Sequence, residues 1–492
     1  MSLGNSIRNG VAWIFVGDTG YRILSIGFGI VLARLLAPDV FGMLVAIQIF
    51  TGLAGFIAGG GMGQALVRAK EVGKREYDVV FTLQLIIGCL IYCGFFFAAP
   101  WIAAWYQTPL YADLLRVSAL SFVLRPFVNL PRNMLYREMR FKAQTAVRIS
   151  TLFASSAVSI TMALFGFGVW SLVIGGLSGP LVSIAVLVPL TGWRPSLSLQ
   201  WHRARDLARY GFLTTASNFV VYLRSQAANL MLSKTLGPHT LGLFNKANSL
   251  ALIPQNVTGS VSEVAFRAMA KEQGNLDLSQ YLYLRSITLV SVYTWPAFLA
   301  LAWLALPLLR FVYGDKWVGA ARPLTWLALV GPFVMLEILA GLVLAARNWL
   351  GREIPVQITQ LIVVVLGVVA GLPYGLVGVA IGASLSNIYG ALHMSWLAAQ
   401  CLSMPLRRIA SAMWTPLLLT LPILLLWFAI DRLFMPREYY GDFLYLLIML
   451  GSGGILFALL FFLAPMPDIA SEKRRCLELL RKSWLRFGKV WT

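Results

Sequence analysis

Charge is scarce in this sequence. Only 12% of its 492 residues are Asp, Glu, Lys or Arg, about half the share of an ordinary soluble chain, which argues against a solvated globular domain. Acidic residues are scarcest, 20 against 40 basic, for a net charge of +20. The four cysteines imply no disulfide framework: Cys89 and Cys93 lie one turn apart on one apolar segment, and Cys401 and Cys476 fall in basic segments expected to face the reducing cytoplasm. His202, His239 and His393 are too scattered to hold a metal. There is no Gly-x-x-x-x-Gly-Lys phosphate loop, which excludes ATP hydrolysis by that cradle, and no nucleophile–base pair stands out. No cofactor is expected, nor is the chain expected to be an enzyme. The first apolar segment carries Asp18 and Arg22 and lacks a small-residue cleavage site, so it reads as a retained helix rather than a signal peptide.

What the chain does have is apolar length. Hydrophobic residues make up 59% of it and the mean hydropathy is +0.75. Stretches of roughly 18–25 apolar residues recur along it, each long enough to cross a bilayer core. The expected fold is an all-α polytopic membrane protein with about fourteen spans: 10–35, 40–66, 79–101, 112–133, 146–166, 169–191, 211–233, 241–265, 284–307, 322–346, 355–373, 376–399, 411–431 and 442–464. Pro254 is the expected kink in the eighth. The basic residues cluster in loops on one side, as at Arg68/Lys70/Lys74/Arg75, Arg132/Arg137/Arg140/Lys142 and Arg203/Arg205/Arg209, and in the tail from Lys473 to Lys489. That asymmetry places both termini in the cytoplasm and accounts for the net charge without nucleic acid. Loops on the other side are short, the longest being Tyr106–Tyr111, Tyr313–Trp317 and Arg432–Gly441. They leave no room for an outer catalytic domain.

The sequence also repeats. Leu32–Leu44 (LARLLAPDVFGML) returns as Leu232–Phe244 (LSKTLGPHTLGLF), with Pro38 and Pro238, and Gly42 and Gly242, 200 positions apart. That spacing is too long for a solenoid unit and matches half of a duplicated transporter. Six spans separate the copies, so both halves enter the membrane in the same direction. Weaker echoes follow in the same order: Arg125-Pro-Phe127 with Gly331-Pro-Phe333, and Phe167–Gly175 with Tyr374–Gly382. The expected organisation is an N-lobe at 1–200, a C-lobe at 201–400, two extra helices in 401–466 and a basic amphipathic tail at 467–492. Asp468 and Ser471 are the tail's helix-capping candidates, and the tail suits an anionic inner leaflet.

Charges inside spans cost about 2.5–3.5 kcal/mol each on insertion scales and are functional candidates for that reason. They are Asp18, Arg22, Arg125, Arg224, Lys246, Glu263 and Glu337. Asp18 and Arg22, four residues apart, share a helix face and can pair. Arg34, Lys234 and Arg116 sit near outer ends and can snorkel. Span seven is unusually polar, with Asn218, Tyr222, Arg224 and Asn229 among others, and span eight adds Lys246, Asn248 and Gln255. Lipid would not accept such faces, so they must meet protein or water. Arg22, Arg125, Arg224, Lys246, Asn218, Asn248 and Gln255 are the expected cavity residues. Their guanidinium, ammonium and amide groups suit phosphate oxygens and sugars. Asp18, Glu263 and Glu337 are the candidates for coupling to an ion. Interhelical hydrogen bonding is the competing role for all of them.

The span plan, the turn at Leu32–Leu44 and the following Gly61-Met-Gly-Gln-Ala-Leu-Val-Arg68 resemble the polysaccharide transporter family, the Wzx-like, exopolysaccharide and colanic-acid exporter type within the multidrug/oligosaccharidyl-lipid/polysaccharide flippase superfamily. The resemblance implies export of undecaprenyl-diphosphate-linked oligosaccharides across a bacterial inner membrane by alternating access, driven by a proton or sodium gradient. Membrane lipids and other polysaccharide assembly proteins are the implied partners. A drug or cation antiporter of the same superfamily and a membrane glycan polymerase or ligase are the alternatives. The cavity arginines argue against the first, the short outer loops against the second.

Overall fold

In the computed structural model the described residues are 3–59, 73–198, 219–271, 274–434 and 441–478, and they contain helices and no strands. Asn218, the segment Gly61–Arg68, the basic cluster at 203–209 and the tail beyond 478 lie outside them.

The chain packs into two compact units, Met1–Asn245 and Lys246–Thr492. The first holds α1 (Leu3–Leu35), α2 (Pro38–Gly59), α3 (Lys74–Trp105), α4 (Leu110–Arg137), α5 (Phe141–Leu164) and α6 (Val169–Thr191). It also holds α7 (219–235) and the start of α8 (Gly237–Ala251). The expected sixth span coincides with α6. Its start is set by Gly168, whose φ of 52° belongs to the left-handed region that glycine adopts without strain. Pro38 opens α2 at the first helical turn, where its missing N–H costs nothing.

The second unit continues with a 3₁₀ turn (Ile253–Gln255) and α9 (Asn256–Lys271), so the eighth span breaks at Pro254 as expected. Then come α10 (Leu276–Trp303), the short α11 (Ala305–Tyr313), α12 (Ala321–Leu329) and α13 (Gly331–Ala346). The pair formed by Asp315–Leu329 and Gly331–Ala346 bends by 45°. Next are α14 (Glu353–Gly371), α15 (Gly375–Cys401), α16 (Leu406–Ala412), α17 (Trp414–Ala429) and α18 (Asp442–Leu463). Tyr283, Met335, Leu339, Val343 and Met394 form the centre of this unit's core. The last two helices join α10 through Val292, Leu419 and Phe461, and the Trp427 indole donates to the Met449 carbonyl at 2.8 Å.

Among the described residues, nine helical stretches are long and apolar enough to cross a bilayer, or ten with the bent pair. One of them, 353–401, folds back on itself. A Cβ on Gly382 would stand 2.1 Å from the Gly367 carbonyl oxygen, and one on Gly378 2.2 Å from that of Gly371. α14 and α15 are therefore a hairpin with backbones in contact, turned at Leu372–Tyr374 and Gly375 (φ 65°). Large apolar residues such as Leu90, Phe97, Leu366 and Leu425 are exposed on the helices. That is the reverse of a soluble protein and fits a lipid surround.

Candidate functional site

The two copies of the repeated turn meet each other. In each, the chain leaves its helix with the same backbone bond: Leu36 N–H to the Leu32 carbonyl and Leu236 N–H to the Leu232 carbonyl. Gly237 takes a φ of 77° where the first copy has Ala37. The starts of α2 and α8 then cross reciprocally. A Cβ on Gly42 would lie 1.7 Å from the Pro238 carbonyl oxygen, and one on Gly242 would lie 2.0 Å from that of Pro38. Only glycine permits this approach. Equivalent residues also pair across the contact, His239 Nδ1 with Asp39 Oδ1 at 2.8 Å.

Further contacts tie the end of α7 to the α3–α4 connection. The Tyr106 hydroxyl lies 3.0 Å from that of Ser233. Lys234 Nζ bonds the Trp105 carbonyl and stands 4.9 Å from the Trp105 ring centroid. Burial pushes the Tyr106 phenol above its ordinary pKa, against the opposing effect of its Ser233 hydrogen bond, so Tyr106 stays neutral. Deeper in this unit, the Tyr222 hydroxyl reaches the Gln48 and Ile49 carbonyls of α2, each at 2.9 Å. Gly52 leaves the space it needs, since a Cβ there would meet that hydroxyl at 2.2 Å.

The expected cationic residues of the first unit lie well below the turns. With a rise of about 1.5 Å per residue, Arg22 is about 20 Å along α1 from Leu35 and Arg125 about 23 Å along α4 from Leu110. Arg224 is about 17 Å along α7 from residue 235. Arg125 Nη1 donates to the Gly55 carbonyl of α2 at 2.8 Å, and its guanidinium lies 5.2 Å from the Phe122 ring centroid. Arg224 is half-buried and Arg22 exposed on α1. Asp18 pairs with Arg148 of α5 rather than with its helix neighbour. The Arg148 guanidinium also lies 3.9 Å from the Tyr21 ring centroid. This partner escapes sequence reasoning because it lies 130 residues away. The available signal was a basic residue just inside the start of an apolar span.

A cavity of about 370 Å³ also lies in this unit. Gln48, Thr51, Ser118, Ser121, Ser155 and Ser159 supply its polar wall, and no charged residue lines it. Single serines in apolar helices carry little signal, which is why the sequence did not single them out.

In the second unit, Lys246 lies 4.7 Å from the Tyr313 ring centroid and 4.9 Å from that of Trp317, an aromatic cradle for an ammonium. Asn248 and Gln255 are half-buried, Gln255 in the 3₁₀ break itself. Glu337 Oε2 accepts from Gln360 Nε2 at 3.2 Å. Gln360 also donates to the Ser386 carbonyl, and its own carbonyl accepts from the Ser386 hydroxyl. Glu337 thus belongs to a hydrogen-bonded network between α13, α14 and α15. Glu263 lies on α9, with its side chain outside the described set. No group of His, Cys, Asp and Glu suited to a metal occurs among the described residues.

The chain is 24% identical over 443 residues to the lipopolysaccharide biosynthesis protein WzxC of Escherichia coli (strain K12), covering 87% of this chain and 88% of that one. It is 27% identical over 326 residues to the succinoglycan biosynthesis transport protein ExoT of Rhizobium meliloti (strain 1021), covering 66% of each. The fold matches the lipid II flippase MurJ in its inward closed conformation, with a TM-score of 0.75, 16% identity, and coverage of 92% of this chain and 99% of that one. It also matches an inward-facing multidrug resistance MATE family transporter at a TM-score of 0.62 and 16% identity, over 80% of this chain and 98% of that one. The profile of the polysaccharide biosynthesis protein family matches residues 31–322, more than half of the chain, and the chain is a multi-pass membrane protein that belongs to this family.

Proposed function

We propose that the protein is a flippase. It moves undecaprenyl-diphosphate-linked oligosaccharide repeat units from the cytoplasmic to the periplasmic leaflet of a bacterial inner membrane, for exopolysaccharide or lipopolysaccharide synthesis. Twelve of the fourteen spans, in two six-helix lobes, 1–200 and 201–400, carry the motion. Residues 401–466 supply two further helices, and both termini face the cytoplasm. The observation that carries this reading is the reciprocal seating of Gly42 and Gly242 on the Pro238 and Pro38 carbonyls. It closes the helix ends on one side, while Arg22, Arg125 and Arg224 lie about 17–23 Å deeper. A contact made by two copies of one motif is self-complementary and can separate without rearranging either helix. Such a contact suits an outer gate in an alternating-access cycle.

In this cycle Arg22, Arg125 and Arg224 receive the diphosphate through charge-assisted hydrogen bonds. Asn218, Lys246, Asn248 and Gln255 meet the sugars or the second phosphate. Asp18, Glu263 and Glu337 are the groups through which a proton or sodium gradient acts. The names of WzxC and ExoT as biosynthesis and transport proteins support this substrate class. The test is transfer of a defined lipid-linked oligosaccharide in proteoliposomes, with and without an imposed proton or sodium gradient. Gradient-dependent transfer is expected. No transfer under either gradient, or glycan polymerisation by the purified protein alone, refutes the reading.

A further inference from the structure

A second pocket lies in the other unit, where α10, α16 and the segment 467–474 converge. It encloses about 660 Å³ and is lined by Arg285, Arg408, Arg474, Tyr281, Ser411 and Asp468, among others. That volume is of the size that holds a small ligand.

The charges in it are not equivalent. Arg285 is committed: its Nη2 donates to the Ser471 hydroxyl at 2.6 Å and to Glu472 Oε1 at 3.2 Å. Asp468 accepts from the Thr415 hydroxyl at 2.7 Å. These bonds dock the 467–474 segment on α10 and α17, and Arg285 neutralises Glu472. Arg408 donates only to the neutral Gln280 Oε1, at 2.8 Å. Neither Arg408 nor Arg474 makes an ion pair among the described residues, and both are exposed. The pocket therefore offers two guanidinium forks and the Ser411 and Tyr281 hydroxyls against a single lining carboxylate, that of Asp468, which Thr415 holds. This donor set matches a phosphate ester.

The same segments carry exposed apolar side chains. Leu406 is 48% exposed beside Arg408, Trp414 61% at the start of α17, and Leu477 55% one turn beyond Arg474. A soluble phosphate has no use for them, whereas a phospholipid brings acyl chains to the same place, and tryptophan favours the membrane–water interface. We infer that this pocket binds the phosphodiester headgroup of an anionic phospholipid between Arg408 and Arg474, and that the bound lipid holds the tail helix in its seat. None of its lining residues is among those proposed to meet the substrate, and only the choice of leaflet rests on the proposed orientation.

The test uses the full chain, purified and reconstituted in nanodiscs of phosphatidylcholine with a minor fraction of phosphatidylglycerol. Lipid retention is read by native mass spectrometry and tail seating by limited proteolysis. The wild type is expected to retain phosphatidylglycerol over phosphatidylcholine and to resist cleavage after Arg474 when it does. The double variant Arg408→Gln/Arg474→Gln is expected to retain it about 30-fold less, which corresponds to about 1 kcal/mol per arginine near an anionic surface. Ser411→Glu, which places a carboxylate in the pocket without touching either arginine, is expected to do the same. Equal retention by all three proteins overturns the inference, as does equal retention of the two lipids by the wild type. Protection of the tail by inorganic phosphate as strong as that by phosphatidylglycerol overturns the lipid assignment. None of these readouts involves translocation, so failure here and failure of the flippase reading are distinguishable. A cysteine at position 475 labelled only from the periplasm would overturn the orientation and leave the binding result standing.

Discussion

In the α14–α15 hairpin, glycines face glycines: Gly367 meets Gly382 and Gly371 meets Gly378, two contacts about a turn apart along one seam. At the paired turns Gly42 also faces Gly242, but at a single crossing, each glycine seated on the proline carbonyl of the other copy, Gly42 on Pro238 and Gly242 on Pro38. Both places use the missing Cβ to bring backbones together. The hairpin seam is reinforced by the buried Gln360–Ser386 bonds and bordered by Val364 and Val368, both well buried. The turn contact is bordered by the exposed Asp39 and His239, whose side chains are 46% and 57% accessible. On the proposed cycle, a seam with two successive glycine pairs and buried polar bonds stays shut. On the same proposal, the single crossing with a solvent-screened pair beside it opens. Glycine proximity thus occurs both at a scaffold seam and at the proposed gate, and what surrounds the glycines separates them.

The largest effect is expected where the seam is permanent. Gly382→Leu would put a side chain into the Gly367 carbonyl with no route to relax, at a cost of about 3 kcal/mol or more. The protein should fail to accumulate in the membrane, as immunoblots of membrane fractions would reveal. Normal accumulation would mean that the hairpin is as separable as the turns. Gly242→Ala should be milder for folding and severe for transport. The protein reaches the membrane, but the outer contact no longer closes, and export falls at least about tenfold, the effect of about 1.4 kcal/mol. Cysteine labelling at position 239 from the periplasmic side should rise in step. Unchanged labelling would remove the contact from the cycle.

Arg125 sharpens the comparison from below, because it links α4 to α2 beneath the gate. Arg125→Ala should abolish complementation of an export-deficient strain while leaving membrane levels intact. Arg125→Lys should rescue only part of the activity, since one ammonium cannot hold the Gly55 carbonyl and a phosphate as the guanidinium fork can. Full complementation by both would reduce Arg125 to interhelical packing. The smallest effect is expected at Asp39→Ala. A pair this exposed contributes about 0.2–1 kcal/mol, so export should change less than about fivefold. A complete loss would show that the pair, rather than the glycine crossing, holds the contact.

Much of this was legible in the sequence. Apolar length pointed to the long helices, nine or ten of which among the described residues can cross a bilayer, and α6 begins and ends at the expected residues because Gly168 and Gly192 bound it with positive φ. Pro254 marked the break in the eighth span. The repeat pointed to two equivalent turns. That they touch each other was beyond sequence periodicity, which describes faces of single helices and not the crossing of two. Asp18 illustrates the same limit. Its spacing from Arg22 fits an intrahelical pair, yet Arg148 of α5 takes it, because tertiary packing outweighs an i,i+4 contact worth only about 0.2–0.5 kcal/mol. The hydroxyl-lined cavity and the aromatic cradle of Lys246 were hidden for a similar reason. Each draws residues of unremarkable type from separate helices.

On the proposed cycle the crossing of the two repeated turns must open for export. A double variant, Asp39→Cys with His239→Cys, places thiols at the equivalent positions now paired at 2.8 Å. Transfer of lipid-linked oligosaccharide in proteoliposomes would be measured with the pair reduced, oxidised, and oxidised then reduced again. Transfer is expected in the reduced protein, none after the disulfide forms, and recovery on reduction. Undiminished transfer with the cross-link quantitatively in place would contradict the proposed cycle.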